Sequence, residues 1–169
     1  MVRQAGPQDL AALSKLARET FRAAFGPSFN ASDLALLLEE TRSEACFRKI
    51  MHTDTVLVAL DEGTIVGYVQ LSNVTIQVES ATDRDQQLSA LYVDSAYQGK
   101  GIGKLLMDAA LDHPRFREAR NIYLDVWEDN AKARELYKRY GFEVIGTCDL
   151  VVDSRVVGHD LVMVRRATS

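Results

Sequence analysis

The sequence is poor in the residues that mark secreted, fibrous or membrane proteins. Its two cysteines, Cys46 and Cys148, stand far apart in a chain of 169 residues, which excludes a disulfide framework and a closely spaced zinc motif. Each is expected to be a small buried hydrophobe in a reducing compartment. Three prolines and ten glycines, with no repeat or biased tract, leave no linker, so residues 1–169 are expected to form a single domain. No apolar run is long enough to cross a bilayer and Met1 to Gly6 has no signal core, so a cytoplasmic protein without membrane contact is expected. Basic excess is missing too: the net charge is -4, which argues against a nucleic-acid partner. His52, His113 and His159 have no ligand-spaced partners, and no metal is expected.

What is present is ordinary in amount and ordered in pattern. A hydrophobic share of 47% suffices for the core of one compact domain. Val2 to Gln4 is a short candidate strand. Pro7 suits a helix start, after which Leu10, Leu13, Leu16, Ala17, Phe21, Ala24 and Phe25 recur at helical spacing until Gly26-Pro27. Ser32 is positioned to cap a second helix and Ser43 a third. Thr55 to Leu60 and Ile65 to Ile76 read as strands joined at Asp61-Glu62-Gly63. Strands follow at Leu88–Val93 and Ile122–Trp127, each succeeded by a helix, Gly101–Asp112 and Asn130–Tyr140. Phe142–Asp149 and Val156–Val164 complete the chain as strands that turn near Asp153-Ser154. The pattern predicts a mixed α/β sheet. Exposed edges on the last two strands leave a homodimer open.

The segment Gln98-Gly99-Lys100-Gly101-Ile102-Gly103-Lys104 lies between a strand and a helix. Glycines there let backbone N–H groups approach an anion, and the new helix adds free N–H groups and its dipole. The spacing is wrong for a dinucleotide fingerprint, since Lys104 would fall at its third glycine. It is equally wrong for a nucleotide-hydrolase phosphate loop, which would need glycine at Gln98 and a hydroxyl at Leu105. It does fit Q/R-x-x-G-x-G/A through Gln98, Gly101 and Gly103.

Here the sequence resembles the GNAT superfamily of N-acetyltransferases. Leu88–Val93 looks like that family's cofactor-side strand, and Asn130-x-x-Ala133-x-x-x-Tyr137-x-x-x-Gly141-Phe142 looks like its second signature. Glu19-Thr20-Phe21, Gly67-Tyr68-Val69, Val126-Trp127-Glu128-x-Asn130 and Asp160-Leu161-Val162-Met163 add a likeness to bacterial spermidine/spermine-type acetyltransferases. The resemblance implies an α/β fold of the α+β kind. Its central sheet would be twisted, mixed and mostly antiparallel, with about seven strands, a splay between the two central ones, and four to five helices. It implies acetyl-CoA as acyl donor. The backbone of Leu91, Tyr92 and Val93 would bind its pantetheine arm, and Gln98, Gly99, Lys100, Gly101, Ile102, Gly103 and Lys104 its pyrophosphate. Asn130 would touch the pantetheine and Tyr137 would stand beside the sulfur.

The implied reaction is attack of a primary amine on the thioester, with Tyr137 as candidate proton donor to the leaving thiolate. A small-molecule amine, a polyamine among them, is the expected acceptor; a protein N-terminus or lysine is the alternative. A non-catalytic acyl-CoA sensor is a reading of another class. Asn130 is also an obvious helix cap, and a core aromatic is the alternative to the catalytic reading of Tyr137. Trp127 is expected in the sheet core. Relatives carry a glutamate on the strand matching Leu88–Val93, where this chain has Ser89, Ala90 and Tyr92. The base is therefore open, with Glu79, Asp125 and Glu128 as carboxylates to consider and direct capture of neutral amine as the other route.

Overall fold

The computed structural model describes residues 1–152 and 154–168. It is a mixed α/β fold, with a seven-stranded, mostly antiparallel sheet and six α-helices among the described residues. The chain divides into two compact units, Met1–Gln70 with Ala90–Leu111 and Leu71–Ser89 with Asp112–Ser169. Strands β3 (Thr64–Ser72) and β4 (Gln86–Val93) each contribute residues to both.

The first unit begins with β1 (Val2–Gln4), which pairs antiparallel with β2 (Thr55–Asp61). Strands there neighbour one another in the order β1-β2-β3-β4. Helix α1 (Leu10–Phe25) follows a 3-10 turn at Pro7–Asp9. Asp9 closes that turn, accepting from the Gly6 N–H at 2.8 Å and pairing with Arg3 at 2.7 Å. Leu10, Leu13, Leu16 and Ala17 of α1 enter the core with Phe47, Val56, Val58 and Tyr68, whereas Ala24 faces solvent. Helix α2 (Ala31–Arg42) is capped by Asn30, whose side chain accepts from the Asp33 N–H, so the cap lies two residues before the expected Ser32. Ser43 caps α3 (Glu44–Thr53) as its spacing predicts. The β2–β3 turn places Glu62 and Gly63 at positive φ, the geometry of a tight hairpin. Helix α4 (Ile102–Asp112) starts directly after Gly101 and buries Leu106, Met107 and Ala110.

In the second unit β4 pairs parallel with β5 (Asn121–Trp127) at Gln86↔Ile122 and Gln87↔Tyr123. Strand β5 then pairs antiparallel with β7 (Arg155–Arg166), and β7 with β6 (Glu143–Val152). Strand β3 stops at Ser72, not Ile76. The Gln87 side-chain oxygen takes the N–H groups of Thr75 and Ile76, at 2.7 and 3.1 Å, and so replaces a strand neighbour. Below that loop Asp85 is buried and accepts from Thr82, Arg120 and Asn121. A four-residue helix, α5 (Pro114–Arg117), follows the predicted stop before Pro114. Helix α6 (Ala131–Arg139) takes Asn130 as its N-cap and ends before Gly141, which adopts φ 86°. Of the expected last turn, Ser154 has φ 59° and Asp153 lies outside the described residues.

Candidate functional site

Within the first unit, Asp94 ends β4 by donating its N–H to the Val66 carbonyl at 2.8 Å. Its carboxylate takes the Ala96 N–H and opens a 3-10 turn over Ser95–Tyr97. The chain then passes through Gly99 at φ 78° and Gly101 at φ 83°. A Cβ at either would meet nothing within 4 Å, so backbone conformation, not crowding, requires glycine at both. The direct result is an exposed run of backbone leading into α4. Ile102, Gly103 and Lys104 form its first turn, where N–H groups have no intrahelical acceptor. Such a run is an anion cradle.

The side chains divide the work differently from what their charges alone suggest. Gln98 turns back and donates to the Val93 carbonyl at 3.3 Å, joining strand end to loop. Lys104 pairs with Asp108 one turn along at 2.8 Å. The Lys100 ammonium lies over the Tyr97 ring at 5.1 Å. Hydrogen bonding to Asp61, together with its charge, raises the Tyr97 phenol above its ordinary value. Leu91, Tyr92 and Val93 are all half-buried. Gly67 of β3 lets two elements close in, since a Cβ there would lie 3.0 Å from the Tyr92 carbonyl oxygen and 3.2 Å from Ile102.

In the second unit Asn130 accepts from the Ala133 N–H at 3.2 Å, so its capping role is real. Tyr137 is buried on α6 and meets the Phe142 ring edge-on at 5.9 Å. Strand register supplies a group that periodicity did not reveal. Asp125 stands opposite Val162, while Asp160 stands opposite both Trp127 and Cys148. Cross-strand partners and residues two apart share a face, so Asp125, Trp127, Cys148 and Asp160 project together. Ligating atoms of Asp125, Cys148 and Asp160 all lie within 4.8 Å of one another. Burial and the hydrogen-bonded Asp125 push the Asp160 carboxyl up to about 7. Burial and the same carboxylates push the Cys148 thiol up to about 11. A metal would need both groups deprotonated, which these shifts oppose. Both cysteines are half-buried, less sheltered than expected. Trp127 is also half-buried, lying so close over Gly158 that a Cβ there would come within 2.1 Å of the indole. Glu79 is on an exposed loop, and Glu128 anchors its own N–H on the His159 carbonyl.

Residues 11–142 match the acetyltransferase (GNAT) family. The chain belongs to that family. It is 33% identical over 89 residues to a spermine/spermidine N(1)-acetyltransferase of Bacillus subtilis (strain 168), covering 52% of this chain and 59% of that protein. The chain thus spans less than two thirds of that curated relative. It is 36% identical over 84 residues to the N-alpha-acetyltransferase RimI of Mycobacterium tuberculosis, covering 50% of this chain and 49% of that one. Among solved structures, a PaiA N-acetyltransferase from Thermoplasma acidophilum in complex with coenzyme A shares the fold. Its TM-score is 0.79 at 20% identity, over 99% of this chain and 98% of that one.

Proposed function

We propose that this GNAT family member transfers the acetyl group of acetyl-CoA, its acyl-donor substrate, to a primary amine of a small molecule. The observation that carries the reading is the backbone from Gly99 to Lys104, two left-handed glycines in open space running into a helix N-terminus. That surface suits a pyrophosphate and offers little to an uncharged ligand. In this reading the loop N–H groups and Lys100 hold the phosphates, and the backbone of Leu91–Val93 holds the pantetheine arm. Asn130 adds its side-chain amide, whose oxygen serves the helix cap.

An alkylammonium has a pKa of about 10 and must lose a proton before it attacks a carbonyl. Strand β4 carries no carboxylate in Leu88–Val93. This task falls to Asp125 and the carboxyl hydrogen-bonded to it, Asp160, which is pushed up to about 7. A base of that kind is matched to a reaction run near pH 7. Tyr137 donates the proton that the leaving thiolate takes up. Polyamines and N-terminal peptides, suggested by the names of the two relatives, and lysine peptides, a further class of primary amine, are arms of one test. Purified protein is incubated with acetyl-CoA and each amine while free thiol is followed. Amine-dependent thiol release supports transfer. Coenzyme A binding without release with any amine would make the chain an acyl-CoA-binding module instead.

A further inference from the structure

Arg42, the last residue of α2, is a cation without a counter-charge among the described residues. Its guanidinium carbon lies 4.1 Å from the centre of the Phe21 ring and 5.7 Å from that of Tyr92. Nη1 donates to the Thr41 hydroxyl at 2.6 Å, and the group also hydrogen-bonds the buried Tyr68 phenol. Nε is buried and has no acceptor, and no carboxylate among the described residues forms an ion pair with Arg42. Ring faces stabilise a guanidinium but do not neutralise it. The Arg42 carbonyl accepts from Ser14 at 2.6 Å, so the residue is anchored at its backbone and part-exposed as a whole. A purely structural cation at a helix C-terminus would be satisfied by solvent or by a neighbouring acid. This one is instead set between two rings, one of which belongs to the strand segment assigned above to the acyl donor.

We infer that Arg42 is the recognition point for a carboxylate on the acceptor, so that the preferred substrates are amines that also carry a carboxylate. The inference rests on the transfer reading above and names its substrate class. Guanidinium is the side chain best matched to a planar carboxylate, and hydrogen bonds to charged groups exceed neutral ones in strength. The Phe21 and Tyr92 rings exclude water from the pair, which strengthens it. A polyamine brings a second cation where this site already holds one, and is disfavoured.

The test uses matched pairs that differ only by the carboxylate: ornithine against putrescine, and phenylalanine against 2-phenylethylamine. With wild-type protein, kcat/KM for the carboxylated member should be higher by roughly tenfold to a hundredfold, carried in KM. Arg42→Gln should abolish the preference, and Arg42→Lys should retain part of it. Equal or better turnover of the decarboxylated members by wild-type protein overturns the inference while leaving acetyl transfer intact. A reading free of catalysis and of variants titrates phenylacetate into the wild-type protein and follows the Arg42 Nε–H resonance by NMR. A saturable shift, absent with 2-phenylethylamine, is expected; no shift overturns the inference. Failure of the transfer reading looks different, as absence of thiol release with every amine.

Discussion

At the scale of single residues the carboxyl pair makes the sharpest demands. Asp160 titrates near 7, well above an ordinary carboxylate, so the folded state binds its proton more tightly than the unfolded chain does. Its stabilising share is complete below about pH 4 and is lost as pH rises through 7. Asp160→Asn should therefore match wild type in acid and exceed it at pH 8, by about 1 kcal/mol once partial exposure is allowed for. Thermal unfolding from pH 4 to 8 measures this, and a gap that does not change with pH would contradict it. If Asp125 and Asp160 act as the base, the same variant also displaces the rising limb of kcat/KM against pH. Tyr137→Phe keeps the ring packed on Phe142 and removes only the hydroxyl. As proton donor, its loss should lower kcat roughly a hundredfold in a protein that still folds. Unchanged turnover would return Tyr137 to the core.

At the scale of elements, the loop and its helix were legible in sequence, because a left-handed backbone is a local demand that only glycine meets cheaply. Gly101→Ala should cost the loop about 1–2 kcal/mol of strain and weaken coenzyme A binding roughly tenfold, with little effect on global unfolding. Isothermal titration measures the first and circular dichroism the second. The start of the β3–β4 connection was not legible. Val74, Ile76 and Val78 keep a strand's alternation, yet their backbone is diverted to the Gln87 side chain, a partner that no local pattern announces. The same connection is tied down by Asp85 on Arg120. Burial opposes ionisation of Asp85, but hydrogen bonds from Arg120 and Thr82 outweigh it and hold its pKa below the usual range. Asp85→Ala should cost about 3 kcal/mol in urea unfolding at pH 7. That penalty should shrink as pH falls through the carboxylate's lowered pKa, since a depressed group loses its contribution in acid. A pH-independent penalty would mean packing, not charge.

For the whole molecule, family and fold were legible because two signatures lie in order on one stretch of chain, each written in local turn and cap residues. The groups proposed to handle the acceptor were not. Asp160 meets Asp125 and Cys148 only through the register of three strands, and Arg42 meets Tyr92 across residues distant in sequence. Neither contact has a sequence period. A net charge of -4 permits a cationic amine to approach without choosing among amines. The choice is left to the groups that touch it. Acetyl transfer itself can be read in a single assay. Acetyl-CoA and a mixed set of amines, amino acids and peptides are incubated with the protein, and free thiol and product mass are read together. Thiol release that requires an amine, with one acetyl group appearing on that amine's nitrogen, is the predicted result. Tight coenzyme A binding with no amine-dependent thiol and no acetylated product would contradict it.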